Sequence, residues 1–137
     1  MIVRDDAGLR AIFAATRTIA VVGLSGDPAR ASYGVAEYLQ EAGYRIIPVN
    51  PNEREVLGVP AVASLRDLAG ERVDLVDVFR RPPDVLPHVD EAIAIGARVF
   101  WMQLGIANDE AARRAEAGGM TVVMNRCTMR DHARLMR

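Results

Sequence analysis

The 137 residues are 50% hydrophobic and 26% charged, the composition of one globular domain spanning 1–137 rather than of a disordered or fibrous chain. All 17 basic residues are arginine, set against 18 acidic ones, and the net charge of -1 removes any whole-molecule attraction to nucleic acid or to an anionic membrane surface. The absence of lysine excludes Schiff-base chemistry, the single Cys127 excludes an intramolecular disulfide, and no spaced Cys/His cluster offers a metal site.

Met1 to Ala15 carries Asp5, Asp6 and Arg10 where a secretory signal needs an apolar core, and no apolar run approaches a membrane span, so a cytoplasmic protein is expected. Within that stretch Leu9, Ile12 and Phe13 recur at helical spacing and predict a helix over Asp6 to Ala15. Thr18 to Gly23 is a β-rich run ending in glycine and reads as the first strand. After a polar loop from Leu24 to Ala31, Ser32 serves as the cap of a helix with Val35, Tyr38 and Leu39 on one face, ending before Gly43. Tyr44 to Val49 is the second strand, stopped by Asn50-Pro51-Asn52 ahead of a loop to Ala63. Ser64-Leu-Arg-Asp67 resembles a capping box for a short helix before Gly70. Val73 to Phe79 forms the third strand, and Pro82, Pro83 and Pro87 suit the first turn of a helix that ends at Gly96. Arg98 to Leu104 is the fourth strand, Asn108 to Ala117 a helix with acids in its first turn, Met120 to Met124 the fifth strand, and Thr128 to Met136 the last helix.

Strands alternating with helices predict an α/β, Rossmann-like fold: an open five-stranded parallel sheet in the order 3-2-1-4-5, with helices on both faces. Ligands in such sheets bind at the carboxyl ends of the strands, here expected near the switch between strands 1 and 4.

The loop after strand 1 holds Gly23, Ser25, Gly26, Pro28, Arg30 and Ser32. Small residues at such a corner let backbone N–H groups reach an anion, the next helix adds its positive end, and Arg30 supplies a guanidinium fork, which together suit a phosphate. The G-x-G-x-x-G spacing of dinucleotide sites is absent, and strand 2 ends in Asn50-Pro51 where such a site needs an acid for the ribose. Asn50 is thus either a ribose contact or a turn residue before proline. Phe79-Arg80-Arg81 can hold a purine and a phosphate together, the alternative being solvated arginines. In Trp101-Met102-Gln103-Leu104-Gly105, alternation sends Trp101 and Gln103 to one face and Met102 to the other. Trp101 reads as core, Gln103 as a ligand contact, and Gly105 as a point of close backbone approach. Strand 5 leads into Asn125-Arg126-Cys127-Thr128, with Thr128 expected to cap the last helix.

The segments VVGLSGDPARASYGV, IIPVNPN, DVFRRP, WMQLGI and NRCTMRDHARL, in this order over nearly the whole chain, resemble the small bacterial coenzyme A-binding domain proteins. These are similar to the CoA-binding domain of the succinyl-CoA synthetase α subunit. The resemblance implies that the Ser25 to Arg30 loop takes the pyrophosphate, that Asn50, Pro51, Phe79, Arg80 and Arg81 surround the adenine and phosphorylated ribose, and that Gln103 and Gly105 lie along the pantetheine. It implies coenzyme A or acyl-CoA as ligand, held without catalysis by a regulatory or carrier module, with no metal. The histidine that the synthetase phosphorylates has no counterpart, since His88 and His132 both fall on helices. The alternative is a small enzyme, either NAD(P)-dependent or transferring acyl groups through Cys127, for which no Ser/His/Asp or Cys/His spacing is present. Neither nucleic acid nor membrane is an expected partner, and a protein partner is left open.

Overall fold

The computed structural model describes residues 1–137. Five strands, β1 (Thr18–Val22), β2 (Arg45–Val49), β5 (Leu75–Val78), β6 (Val99–Met102) and β7 (Thr121–Met124), form one parallel sheet; β3 (Glu55–Val56) and β4 (Val59–Pro60) make a small antiparallel hairpin after β2. The helices are α1 (Asp6–Ala15), α2 (Ala31–Glu41), α3 (Leu86–Ala94), α4 (Asp109–Ala117) and α5 (Thr128–Leu135). No helix is long and apolar enough to cross a membrane.

Every residue of β1 is buried, which is why Ile19 to Val22 reads as an unbroken apolar run: helices cover both faces of the sheet. On one face α1, α2 and α5 enclose Leu9, Phe13, Val35, Leu39 and Trp101. On the other, α3, α4 and a short 3-10 turn at Leu65–Leu68 enclose Val76, Val78, Phe100, Met102 and Ala112. Trp101 and Met102 therefore take opposite faces, as strand alternation requires. The expected α/β, Rossmann-like class is what forms.

The strand order differs from the expected 3-2-1-4-5. The sheet runs β2-β1-β5-β6-β7, so the third main strand pairs with β1, Ile19 opposite Leu75 and Val22 opposite Val78, instead of lying outside β2. Pro48 supplies the reason. Its carbonyl faces away from β1 and accepts from Val62 N at 3.0 Å, but on that side the proline has no N–H to offer a full-length neighbour. A proline in a strand confines it to the sheet edge, so the outer side of β2 is closed by the single bridge Val49–Val62 and the chain returns to the free side of β1. The topological switch consequently lies between β1 and β5, not between β1 and the fourth main strand.

Two helix caps also differ. Ser32 and Thr128 were expected at N-caps, which are occupied instead by Arg30 and Cys127; both hydroxyls are drawn inward to other partners. The capping box at Ser64 and Asp67 forms as predicted, with Arg66 N donating to Ser64 Oγ at 3.1 Å and Ser64 N to Asp67 Oδ2 at 3.2 Å.

Candidate functional site

The ladder hydrogen bonds continue one residue past each strand: Gly23 N donates to Val49 O, Phe79 N to Val22 O, and Gln103 N to Val78 O. The three residues are thereby fixed side by side at the carboxyl edge, flanking the switch. Gly23 has φ +82°, and a Cβ there would strike the Phe79 carbonyl, so only glycine lets the β1 loop leave beside β5.

The amides of the loop after β1 are already engaged, contrary to the expectation that they face an anion freely. Ser25 N donates to the buried Ser32 Oγ at 3.0 Å, Gly26 N to Glu53 Oε2 at 2.6 Å, Asp27 N to Ser25 Oγ at 3.0 Å, and Arg30 N to Asp27 O at 3.0 Å. Asp27 turns onto the loop itself, its Oδ1 accepting from Ala29 N at 2.9 Å. A polar loop without regular structure must satisfy its own donors, and short Ser and Asp side chains do so. The donors left without a partner are the Leu24 amide and, further on, those of Ala31 and Ser32 in the first turn of α2, where Arg30 provides no side-chain cap.

Arg30, Ser25 and Ser32 line a cavity of about 450 Å³ together with Gly23, Asn50, Glu53 and Phe79. Arg30 forms no ion pair, although Glu53 shares this cavity. Asn50 acts as a brace: its Nδ2 donates to Leu24 O at 3.1 Å and its Oδ1 accepts from Asn52 N at 2.9 Å, which is the turn role. Glu53 is the site residue that sequence reasoning missed. It lies in the turn that follows β2, four positions past Val49, and it places a carboxylate against the β1 loop after all. An acid shortly after a strand-ending Asn-Pro-Asn turn was the only available signal.

Arg80 lines a smaller cavity of about 60 Å³ beyond Gly23 and Asn50, with Pro51, His88 and Glu91. There His88 Nδ1 is 2.7 Å from Glu91 Oε1, and Ser64 Oγ donates to Glu91 Oε2 at 2.9 Å. Arg81 turns away, pairing through Nε with Asp84 Oδ2 at 3.0 Å, and Pro28 lies exposed on the loop; neither lines a cavity.

Phe79 and Ala31 are shared with a second cavity of about 410 Å³, whose wall is mostly apolar and includes Val35, Leu104, Ile106 and Met129. Gln103 belongs to this wall. It is more buried than expected, at 4% exposure, because its Oε1 accepts from both Thr128 N and Thr128 Oγ1 at 3.0 Å. Its Nε2 has no partner in the protein. Behind Thr128 lies Asp77, fully buried, with Oδ2 3.0 Å from the hydroxyl and Oδ1 unpartnered. Cys127 lines the same cavity and is 8% exposed. Gly105 and Asn125 brace one another instead of lining a cavity: Gly105 N donates to Asn125 Oδ1 at 2.7 Å, and Asn125 adopts φ +59°.

The largest cavity, about 690 Å³, is at the opposite end of the sheet. Its one buried acid, Asp74, is already held by the amides of Arg17 and Thr18 and by Arg72 Nε. The carboxyl edge, with unpaired Arg30 and the free Gln103 amide, is the better candidate.

Comparison with known proteins identifies the family. A family model described as CoA binding domain matches residues 17–133. The chain is 43% identical over 129 residues to the uncharacterized protein YneT of Bacillus subtilis (strain 168), covering 94% of this chain and 95% of that protein. It is 32% identical over 132 residues to the alpha subunit of acetate–CoA ligase (ADP-forming) II of Pyrococcus furiosus, covering 87% of this chain but only 29% of the subunit. Among solved structures, a hypothetical protein from Pyrococcus horikoshii OT3 superposes with a TM-score of 0.93 at 39% identity, covering 98% of this chain and 94% of the other. With a family match across most of its residues and close relatives along the same span, the chain belongs to the CoA-binding domain family.

Proposed function

We propose that residues 1–137 act as one unit that binds coenzyme A or an acyl-CoA without catalysing a reaction on it. The observation that carries the reading is the pairing of two cavities across Ala31 and Phe79, one polar and holding the unpaired Arg30, the other mostly apolar with Arg130 at its wall. Coenzyme A has the same division, a phosphorylated nucleotide joined to a long, weakly polar pantetheine arm. Volumes of about 450 and 410 Å³ fall within the range of small-molecule sites. In this reading Arg30 and the Ala31 and Ser32 amides take the diphosphate, and Phe79, Arg80 and the Asn50-Pro51 turn receive the adenine and phosphorylated ribose. Gln103 Nε2 donates to an amide carbonyl of the pantetheine. Family membership and the acetate–CoA ligase relative support the choice of ligand class.

Isothermal calorimetry with CoA, acetyl-CoA and NADH tests it. Saturable CoA binding with weaker or absent NADH binding is expected; NADH binding with CoA excluded overturns it. Native mass spectrometry of the purified protein identifies any acyl group retained.

A second reading, acyl transfer through Cys127, draws on that thiol's place in the apolar wall. It predicts stoichiometric alkylation of Cys127 that CoA blocks; an inert thiol removes it.

A further inference from the structure

The Glu53 carboxylate lies against the β1 loop. Its Oε2 is 2.6 Å from Gly26 N, and a Cβ added to Gly26 would lie 2.9 Å from its Oε1, so the carboxylate is seated directly against this backbone. A carboxylate accepting a backbone N–H makes the kind of short, charge-assisted bond that a phosphate oxygen would make there. Glu53 shares its cavity with Arg30, yet no ion pair joins them, so the guanidinium retains its charge for another anion.

We infer that Glu53 is an internal competitor for the ligand's phosphate: it holds the Gly26 amide when the site is empty and is displaced when a diphosphate enters. A diphosphate on Arg30 and the Ala31 and Ser32 amides shares one cavity with the Glu53 carboxylate, and the repulsion between like charges there drives the carboxylate from the loop. Glu53 is anchored through its turn. Asn50 bonds both Leu24 O and Asn52 N and so ties the 50–53 turn to the β1 loop, which leaves rotation of the Glu53 side chain as the route of expulsion. Binding is thereby coupled to a change in the Glu53 side chain, and the cost of breaking its bond to Gly26 lowers the ligand affinity.

The inference rests on the coenzyme A reading of the groove, and its test separates the two. Wild type, Glu53→Gln and Glu53→Ala are titrated with CoA and, separately, with inorganic pyrophosphate, by calorimetry and by following the Gly26 amide resonance. Glu53 is half-exposed, so both variants keep the fold. The expected result is CoA affinity on the order of tenfold tighter in both variants, with a Gly26 resonance that shifts on substitution and again on anion binding. Unchanged or weaker CoA affinity in the variants overturns the inference and leaves the CoA reading standing, weaker binding making Glu53 a ligand contact. If no variant binds CoA but pyrophosphate binds more tightly to the variants, the CoA reading falls and the competitor role stands. Absence of both overturns both.

Discussion

The Thr128 hydroxyl stands 3.0 Å from Asp77 Oδ2, a carboxyl oxygen on a side chain with no exposed surface. The same hydroxyl is 3.0 Å from Gln103 Oε1, and one hydroxyl proton cannot serve both acceptors. A protonated Asp77 resolves the conflict by donating to Thr128, which donates to Gln103. Burial pushes the Asp77 carboxyl from 3.8 up to about 8, the Thr128 hydroxyl pulling weakly the other way. Between those values the folded chain binds a proton that the unfolded chain releases, so this group's contribution is full below about pH 4 and declines as pH rises towards 8.

The first prediction follows from that sign. Urea unfolding of the wild type from pH 6.5 to 9 should show stability falling with pH and levelling above about 8. Asp77→Asn, which cannot ionise, should lack the slope and be the more stable protein at pH 9. The difference between the two proteins should not exceed about 6 kcal/mol, roughly four pH units at about 1.4 kcal/mol each. A parallel pH dependence in both proteins would show that Asp77 is charged in the fold.

His132 acts in the opposite direction. Burial lowers its pKa below 6.5 and the Arg137 charge lowers it further, while Tyr38 Oη lies 2.9 Å from Nδ1 and the rings of Phe13, Tyr38 and Tyr44 meet it edge-on. A depressed histidine stabilises the fold above its unfolded value, and the contribution is lost as pH falls through the folded one. Stability should therefore decline below about pH 6.5, and His132→Phe, which fills the aromatic cluster without titrating, should flatten that decline. A two-dimensional NMR titration placing the His132 midpoint at or above 6.5 would contradict it.

Much of this arrangement was legible beforehand because burial leaves a pattern. The helix at Asp6 to Ala15 and the capping box at Ser64 follow from local spacing alone. The strand order was misread as 3-2-1-4-5, because the missing donor of Pro48, which marks β2 as an edge strand, was not weighed. Engagement of the β1 loop was not legible, because Glu53 reaches Gly26 across 27 positions and depends on how the turn after β2 folds back. The same holds for Ser32 and Thr128. Each suits a cap by type, and each is claimed by a tertiary partner that local sequence does not reveal. Arg81 is separated from Arg80 only by the 3-10 turn that presents Asp84 to it.

Two glycines of the groove should respond differently to alanine. Gly23→Ala adds a methyl against the Phe79 carbonyl at φ +82° and should cost about 2 to 3 kcal/mol of stability. Gly34 lies inside α2 with open space where a Cβ would stand, so Gly34→Ala should gain about 0.5 to 1 kcal/mol by lowering the entropy of the unfolded chain. Because Gly34 lines the apolar cavity, the added methyl should also reduce affinity for CoA. Stability and affinity moving together in Gly34→Ala would place the pantetheine arm elsewhere.

Three arginines of the carboxyl edge, Arg30, Arg80 and Arg81, should separate by what already holds them. Arg30 has no ion pair and lines the polar cavity, so Arg30→Ala should weaken CoA about tenfold or more, as loss of a charge-assisted bond implies, and weaken pantetheine, which lacks the diphosphate, little. Arg80 lines the small cavity beside Pro51 and His88, and Arg80→Ala should weaken CoA more than dephospho-CoA if the 3′-phosphate lies there. Arg81 is turned to Asp84 with its side chain 81% exposed, so Arg81→Ala should leave both affinities within about twofold of wild type. Calorimetry with CoA, dephospho-CoA and pantetheine measures all of these on one scale. An equal loss from Arg30→Ala for CoA and pantetheine would move the diphosphate off the start of α2, where Ala31 and Ser32 alone could not hold its charge.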